Sequence, residues 1–189
     1  MHGAPDDQPL QPITGTVVFA LVAAPVQPGV APSFDAAGIA AQRQLLSRAA
    51  ALVAPPEGRV VELQGDGLLL LFTLPDAALA WAHSAQALMS PHQTTAPTPQ
   101  ALALRLGLHH GQVLSDGTAL YGHGVNLAAR IANVAGLGET LLSDVTQRHA
   151  SPSWQRQMDD LGPYFLKHFD EPQQLYKLNP SPALMRATA

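Results

Sequence analysis

The chain has 189 residues, of which 47% are hydrophobic and 13% are charged, which is typical of a globular domain and too apolar for a disordered chain. The formal net charge is -4 and no basic cluster stands out, which argues against a general nucleic-acid binder. Cysteine is absent and no apolar run approaches the roughly 20 residues of a spanning helix, so the sequence excludes disulfides and predicts a soluble, cytoplasmic protein without a membrane segment.

The first half of the chain predicts a strand, a helix and a hairpin. A continuous apolar run at 16–23 is typical of a buried strand, and the helix expected over 35–54 must end before Pro55–Pro56. Strands at 59–63 and 68–73 flank Gly65-Asp66-Gly67, and the Asp-Gly pair favours a tight hairpin turn.

The second half continues this alternation. The expected elements are a helix from 75 to about 90, a loop over 91–100, a strand with alternating leucines at 102–108, a helix over 124–135, and strands at 140–143, 164–168 and 174–178. The order β-α-β-β-α-β with additions predicts an α+β fold with helices on one face of a largely antiparallel sheet. We expect a mobile tail over 1–14, one domain over 15–178 and a second tail over 179–189.

The helix predicted after Gly122 carries a polar stripe. Asn126, Arg130 and Asn133 share one helix face at spacings of four and three, while the remaining positions are small or apolar. Arg offers a forked cation and Asn can orient a ribose or phosphate oxygen, so the stripe is a candidate polyphosphate reader. The alternative is the solvated face of an ordinary amphipathic helix.

Two further segments offer charged groups. Asp66 lies on the tight turn between two apolar strands, where a rigid carboxylate can bind Mg²⁺, although ordinary Asp-Gly hairpins are far commoner. Lys167 alternates with aromatic and apolar residues near the C-terminus and can meet a phosphate as a point charge. Its simpler interpretation is a lysine that protects a strand edge.

Together these segments resemble the catalytic domain of class III nucleotidyl cyclases, the adenylate and guanylate cyclases. The matching words are VVFALV, GRVVELQGDGLLLLF, LRLGLHHGQV, LYGHGVNLAARIANVAGLGETLLSD and DLGPYFLKHFDEPQQLYKL. They occur in family order across roughly 16–178, and the run YGxxVNLAAR followed by GET-LLSD is the most specific.

The resemblance implies a ferredoxin-like βαββαβ core with added strands and a dimer, either with itself or with a second cyclase domain, whose active sites lie at the interface. One protomer supplies two aspartates for two Mg²⁺ or Mn²⁺ ions. The other supplies an Asn–Arg pair for the transition state, a phosphate-binding Lys and two base-selecting residues. The substrate is an NTP, and the ribose 3′-oxygen attacks the α-phosphate while pyrophosphate leaves.

This sequence matches some of the family's functional positions and departs from others. Asn126 and Arg130 match the transition-state pair, Lys167 matches the polyphosphate lysine, and Asp66 matches the second metal aspartate. The first metal aspartate is replaced by Leu21, and no Asp or Glu occurs from Gln8 to Phe34 that could substitute for it.

The base-selecting positions also depart from the family pairs. They fall at Glu62, where guanylate cyclases carry Glu, and at Ala119, where adenylate cyclases usually carry Asp. A methyl group cannot read a base edge, so discrimination would rest on Glu62. The eight histidines do not form a chelating pattern, because the adjacent His109 and His110 point to opposite faces of a strand.

Three hypotheses follow. The first is a catalytically impaired cyclase-homology domain that dimerises, binds nucleotide weakly through an incomplete Mg²⁺ or Mn²⁺ site, and regulates. The second is a working nucleotidyl cyclase. The third is a half-site donor to a partner that holds both aspartates. We favour the first, because a site that lacks one metal loses several kcal/mol of transition-state stabilisation, or about three orders of magnitude in rate.

Overall fold

A computed structural model describes residues 9–24, 36–88 and 102–180. The elements are β1 (Gln11–Ala23), α1 (Ala36–Ala51), β2 (Gly58–Gln64), β3 (Gly67–Phe72), α2 (Pro75–Ala87), β4 (Ala103–Ser115), β5 (Leu120–Tyr121), α3 (His123–Val134), β6 (Thr140–Ser143), α4 (Asp144–His149), α5 (Pro152–Gln155), β7 (Met158–Tyr164) and β8 (Gln173–Leu178). Within the described ranges, no helix is both long and apolar enough to cross a membrane.

One sheet organises the fold. Its strand order is β2-β3-β1-β4-β6-β8-β7, with the short β5 paired to β4. Every pairing is antiparallel except β4 with β6. The first six elements, β1-α1-β2-β3-α2-β4, form the expected βαββαβ core, with β1 and β4 paired from Gln11↔Ser115 to Ala23↔Ala103. The α+β fold and the largely antiparallel sheet are therefore confirmed.

The central strands bury side chains on both faces of the sheet. Val18 and Ala20 of β1 pack with residues of α1 and α2 in one cluster, whereas Val17 and Phe19 pack with Ala128 of α3 in another. The expectation of helices on one face holds for α1 and α2, but α3 covers the opposite face. The physical reason is that β1 is apolar at successive positions rather than alternate ones, so both of its faces need cover.

Small residues bring α3 close to the sheet. Gly124, Ala128 and Ala132 recur every four residues on the buried side of the helix. Beneath them lies Gly107 of β4, where an added Cβ would stand 2.2 Å from the Ala128 carbonyl oxygen. The absence of a side chain at Gly107 therefore sets the distance between α3 and β4.

Some element boundaries differ from the sequence prediction. β1 begins at Gln11, so residues 11–14 are strand rather than tail. β7 covers Met158–Tyr164 rather than 164–168, and the short helices α4 and α5 were not predicted. The expected loop at 91–100 and most of the two expected tails lie outside the described residues.

Candidate functional site

Leu21 and Asp66 are neighbours at one end of the central strands. Leu21 pairs with Gly67 of β3, and the backbone N–H of Val22 donates to the Asp66 carbonyl oxygen at 2.9 Å. Gly65, with φ of 60°, makes the turn that leaves Asp66 exposed. A leucine and a carboxylate thus occupy the two adjacent positions that the sequence comparison matched to a pair of aspartates.

Leu21 is less buried than its strand suggests. Val18 and Ala20 are fully buried, but Leu21 is only partly buried and shares the α3 face of the sheet with Val17 and Phe19. A polar side chain at position 21 would therefore keep part of its hydration.

Glu62 lies on the same face because of a bulge. The β2–β3 register shifts between Val60 and Glu62, so that Glu62 pairs with Leu69, a member of the cluster that contains Ala128 of α3. The Glu62 side chain is exposed. Glu62 is therefore an exposed carboxylate on the face of the sheet that α3 covers.

The three polar residues of the α3 stripe have different environments. Asn133 is used within the helix, because its Nδ2 donates to the Ala129 carbonyl oxygen at 2.9 Å. Asn126 is exposed and Arg130 is half-buried, on the side of α3 away from the sheet. The pair is therefore presented outward.

Lys167 lies on a loop that packs against α3. Leu166 and Phe169 join the apolar cluster around Leu127 of α3, and the Phe169 ring meets His123 at 4.8 Å between ring centroids. Lys167 is exposed, on the segment between β7 and β8 rather than on a strand. The strand-edge interpretation of this lysine is wrong, and the loop holds it beside the helix that carries Asn126 and Arg130.

The five candidate side chains share one property. Within the described parts of the chain, none of them takes part in a hydrogen bond or an ion pair; they are Glu62, Asp66, Asn126, Arg130 and Lys167. Elsewhere in the described residues, Lys177 and Glu139 form an ion pair at 2.6 Å, and Arg148 and Asp144 form another at 3.0 Å. The candidate groups are thus available to a ligand or a second subunit.

Hydrogen bonds within the loop hold the segment that carries Ala119. Asp116 Oδ1 accepts hydrogen bonds from the backbone N–H groups of Ala119 and Thr118, and Tyr121 donates its hydroxyl to Asp116 Oδ2. These bonds, led by that from Ala119, hold the pKa of Asp116 well below its usual range. Ser115 Oγ donates to the Ala119 carbonyl oxygen. The backbone N–H of Ala119 is therefore already used, and its methyl group cannot hydrogen-bond to a base.

A buried polar chain lies under the N-terminus of α3. His109 Nδ1 and Ser143 Oγ share a hydrogen bond of 2.9 Å, and Ser143 Oγ lies 3.0 Å from Thr146 Oγ1. Thr146 Oγ1 accepts from the backbone N–H of His110. Burial, followed by the neighbouring His123 and His110, lowers the pKa of His109 to about 4.

His109 makes stability depend on pH. Its pKa is lower in the folded chain than the ordinary value of 6.5, so the unfolded chain binds the proton more readily. We expect the His109 contribution to be complete above pH 6.5 and to be lost as pH falls toward 4, by at most about 3 kcal/mol. The measurement is Tm from pH 7.5 to 4.5 for wild type and His109→Asn, which keeps a polar atom near the Nδ1 position. His168→Asn removes an exposed imidazole as the matched control. Equal slopes for wild type and His109→Asn would contradict this role.

The carboxylate of Asp66 is the candidate metal ligand of this site. No group of three or more His, Asp or Glu side chains within them is placed to hold a metal ion. Asp66 is the carboxylate on the expected turn, and its partner position holds Leu21. Asp66 alone offers fewer oxygen ligands than a hard cation such as Mg²⁺ takes.

Two features of the site escaped sequence reasoning. The Asp116 loop carried a turn signal, since Asp116-Gly117 is a common turn pair, but nothing marked the four hydrogen bonds to its carboxylate. The contact between His109 and Ser143 joins two strands that are 34 residues apart. No local pattern could have indicated it.

The chain is similar to known cyclases in sequence and in structure. A Rhizobium meliloti (strain 1021) protein named "Putative adenylate cyclase 3" is 30% identical over 129 residues, which cover 68% of this chain and 22% of that protein. This chain therefore spans about a fifth of that relative.

Solved structures share the fold. The adenylate/guanylate cyclase/hydrolase of Silicibacter pomeroyi superposes with a TM-score of 0.76 at 21% identity, over 92% of this chain and 100% of that one. The adenylyl cyclase CyaB of P. aeruginosa superposes with a TM-score of 0.69 at 20% identity, over 92% and 97%. The sequence profile of the adenylate and guanylate cyclase catalytic domain matches residues 39–180. The chain therefore belongs to the adenylate and guanylate cyclase catalytic domain family, the class III family that its motifs resemble.

Proposed function

We propose that this domain, over 15–178, is a class III cyclase-homology domain whose metal site is incomplete. As an isolated homodimer it acts as a dimerising, weakly nucleotide-binding regulatory module in cyclic-nucleotide signalling in the cytoplasm rather than as an efficient cyclase. The observation that carries the proposal is the direct contact of the Leu21 segment with the Asp66 turn, with 2.9 Å between Val22 N and Asp66 O. The fold that would place two carboxylates together is present, and one of the carboxylates is not.

The remaining groups supply a nucleotide-binding surface. Arg130 and Lys167 are cations without acidic partners in the described residues, and they suit the oxygens of a polyphosphate. Asn126 suits a ribose or phosphate oxygen. Glu62 is an acceptor that matches two adjacent N–H donors on the guanine edge better than the donor–acceptor pair of adenine. We therefore propose a guanine nucleotide as the preferred ligand.

The burial of α3 supports a site shared between two protomers. The helix turns Gly124, Ala128 and Ala132 toward the sheet, and its Asn126 and Arg130 side chains outward. Leu21 and Asp66 lie at the end of the sheet that this helix covers. In the proposed shared site, a second copy or a second cyclase domain brings the two sets together.

A half-site donor is the second candidate function. The unpartnered Asn126, Arg130 and Lys167 favour it, because these groups are complete even though the carboxylate pair is not. A partner domain with two carboxylates could form one working site with them. That pairing would make this chain an essential part of an active heterodimer.

The incomplete metal site predicts a calorimetric result. Because Asp66 is the one carboxylate at the two positions matched to metal aspartates, and one carboxylate rarely fixes Mg²⁺ without substrate phosphates, Mg²⁺ alone should give no saturable binding at millimolar concentration. The titration is made on wild type, with Asp66→Asn as the matched control, and the two should give the same heats. A tight two-site isotherm for wild type, abolished in Asp66→Asn, would overturn the proposed impairment.

A further inference from the structure

Arg105 joins the strand beneath the site to the end of α3. Its backbone on β4 pairs with Leu21 of β1. Its Nε donates to the Ala135 carbonyl oxygen at 2.6 Å, and its Nη2 donates to the Asn133 carbonyl oxygen. One side chain therefore connects the position of the missing carboxylate with the helix that carries Asn126 and Arg130.

The end of α3 needs such a donor. The last carbonyl groups of a helix have no partner within it and carry a partial negative charge. The last turn of α3 contains no basic residue, and Ala135 is its C-cap. In the described residues Arg105 forms no ion pair, and its side-chain hydrogen bonds go to this helix end.

Arg105 and Gly107 act on α3 from the same strand. Gly107 sets how closely the middle of the helix approaches the sheet, and Arg105, two residues earlier, fixes its C-terminal end. Two fixed points on a 12-residue helix determine its tilt, and the tilt determines where Arg130 is presented. We propose that Arg105 is a positioning residue that orients the Asn126–Arg130 face of α3. The part of this inference that concerns ligand binding rests on the proposed function.

Leu21 is part of the same arrangement. Directly paired residues of antiparallel strands have Cβ atoms about 4.5–5.5 Å apart, so the side chain at position 21 lies within reach of the Arg105 stem. Leucine cannot accept a hydrogen bond from the guanidinium, which leaves Arg105 committed to α3. A carboxylate at position 21 would compete with the helix carbonyls for it.

The test combines hydrogen exchange with nucleotide binding. Arg105→Gln removes the charge and shortens the side chain, Arg105→Lys keeps the charge with one donor group, and Arg43→Gln on the exposed side of α1 is the matched control. Amides of residues 131–135 should exchange about tenfold faster in Arg105→Gln, less so in Arg105→Lys, and at the wild-type rate in Arg43→Gln.

Binding of a fluorescent GTP analogue separates positioning from general stability. We expect Kd to rise about tenfold in Arg105→Gln, with little further effect of Arg105→Gln in an Arg130→Gln background, because the first residue acts through the second. Additive effects, or wild-type exchange in Arg105→Gln, would overturn the inference.

Two measurements keep the outcome decisive. If Arg105→Gln fails to fold, Leu21→Asp leaves Arg105 in place but offers it a competing acceptor. In metal-free Leu21→Asp, an exchange rate that rises more at 131–135 than in α1 supports the inference, and an equal rise in both segments, or no rise at 131–135, contradicts it. If wild type binds no GTP analogue, the binding clause of the proposed function fails, while the exchange rates still decide whether Arg105 holds α3.

Discussion

Leu21→Asp is expected to form cyclic nucleotide from Mn²⁺-NTP at least about a hundredfold faster than wild type. The new carboxylate would stand beside Asp66, since the Val22 backbone contacts the Asp66 carbonyl oxygen at 2.9 Å. Leu21→Asn introduces a side chain of the same shape as aspartate but without its charge, and this variant should remain inactive. The measurement is the initial rate of cyclic nucleotide formation with Mn²⁺ and either ATP or GTP.

The gain must depend on both carboxylates. The Leu21→Asp, Asp66→Asn double variant should lose it entirely. Without metal, Leu21→Asp should melt below wild type, because its half-buried carboxylate loses hydration and competes with the end of α3 for Arg105. Mn²⁺ with NTP should recover part of that loss. A Leu21→Asp protein that folds and binds Mn²⁺-NTP yet stays inert would show that Leu21 is not the sole defect. Glu62 with Ala119, or the dimer geometry, would then be examined next.

Mixing two inactive proteins is expected to generate activity. Wild type retains Asn126, Arg130 and Lys167 but lacks the carboxylate, and the Leu21→Asp, Arg130→Ala variant has the carboxylate but lacks the arginine. Neither homodimer holds a complete site. A heterodimer holds one, so an equimolar, randomly paired mixture should show about a quarter of the activity of the Leu21→Asp homodimer. The readout is cyclic nucleotide formation after co-expression of the two chains.

The control for this experiment lies on the carboxylate side. Wild type mixed with the Leu21→Asp, Asp66→Asn, Arg130→Ala variant should give no activity, because no pairing then holds two carboxylates. If Leu21→Asp alone is active and dimeric but the first mixture shows no activity, each active site lies within one protomer. The half-site donor function would then be wrong.

The central strands were predictable because their pattern is local. Leu104, Leu106 and Leu108 alternate in sequence and are all fully buried in β4. The sequence prediction placed β7 too far toward the C-terminus. The strand contains Gly162 and Pro163, and these residue types argue against a strand in a sequence. In the folded chain β7 is an edge strand with a bulge between Asp160 and Gly162, where such residues are tolerated.

The residues of the candidate site could be predicted only where a family motif contains them. The resemblance indicated Asn126, Arg130 and Lys167, and it showed that Leu21 departs from the pattern. The role of Arg105 could not be predicted from the sequence. Its hydrogen-bond partners lie about 30 residues later in the chain, at the C-terminal end of α3. Contacts of this kind depend on the register of strands and the placement of a helix far apart in the chain, which a local sequence pattern does not reveal.

The most direct test of the account is the turnover of wild type itself. The purified chain is incubated at high concentration with Mn²⁺ and ATP or GTP, and cyclic nucleotide is quantified by mass spectrometry, with Leu21→Asp as the positive control. An incomplete metal site predicts a wild-type rate at the level of the Leu21→Asn variant, at least about a hundredfold below Leu21→Asp. A wild-type rate well above that of Leu21→Asn and equal to that of Leu21→Asp would show that one carboxylate suffices and would contradict the proposed impairment.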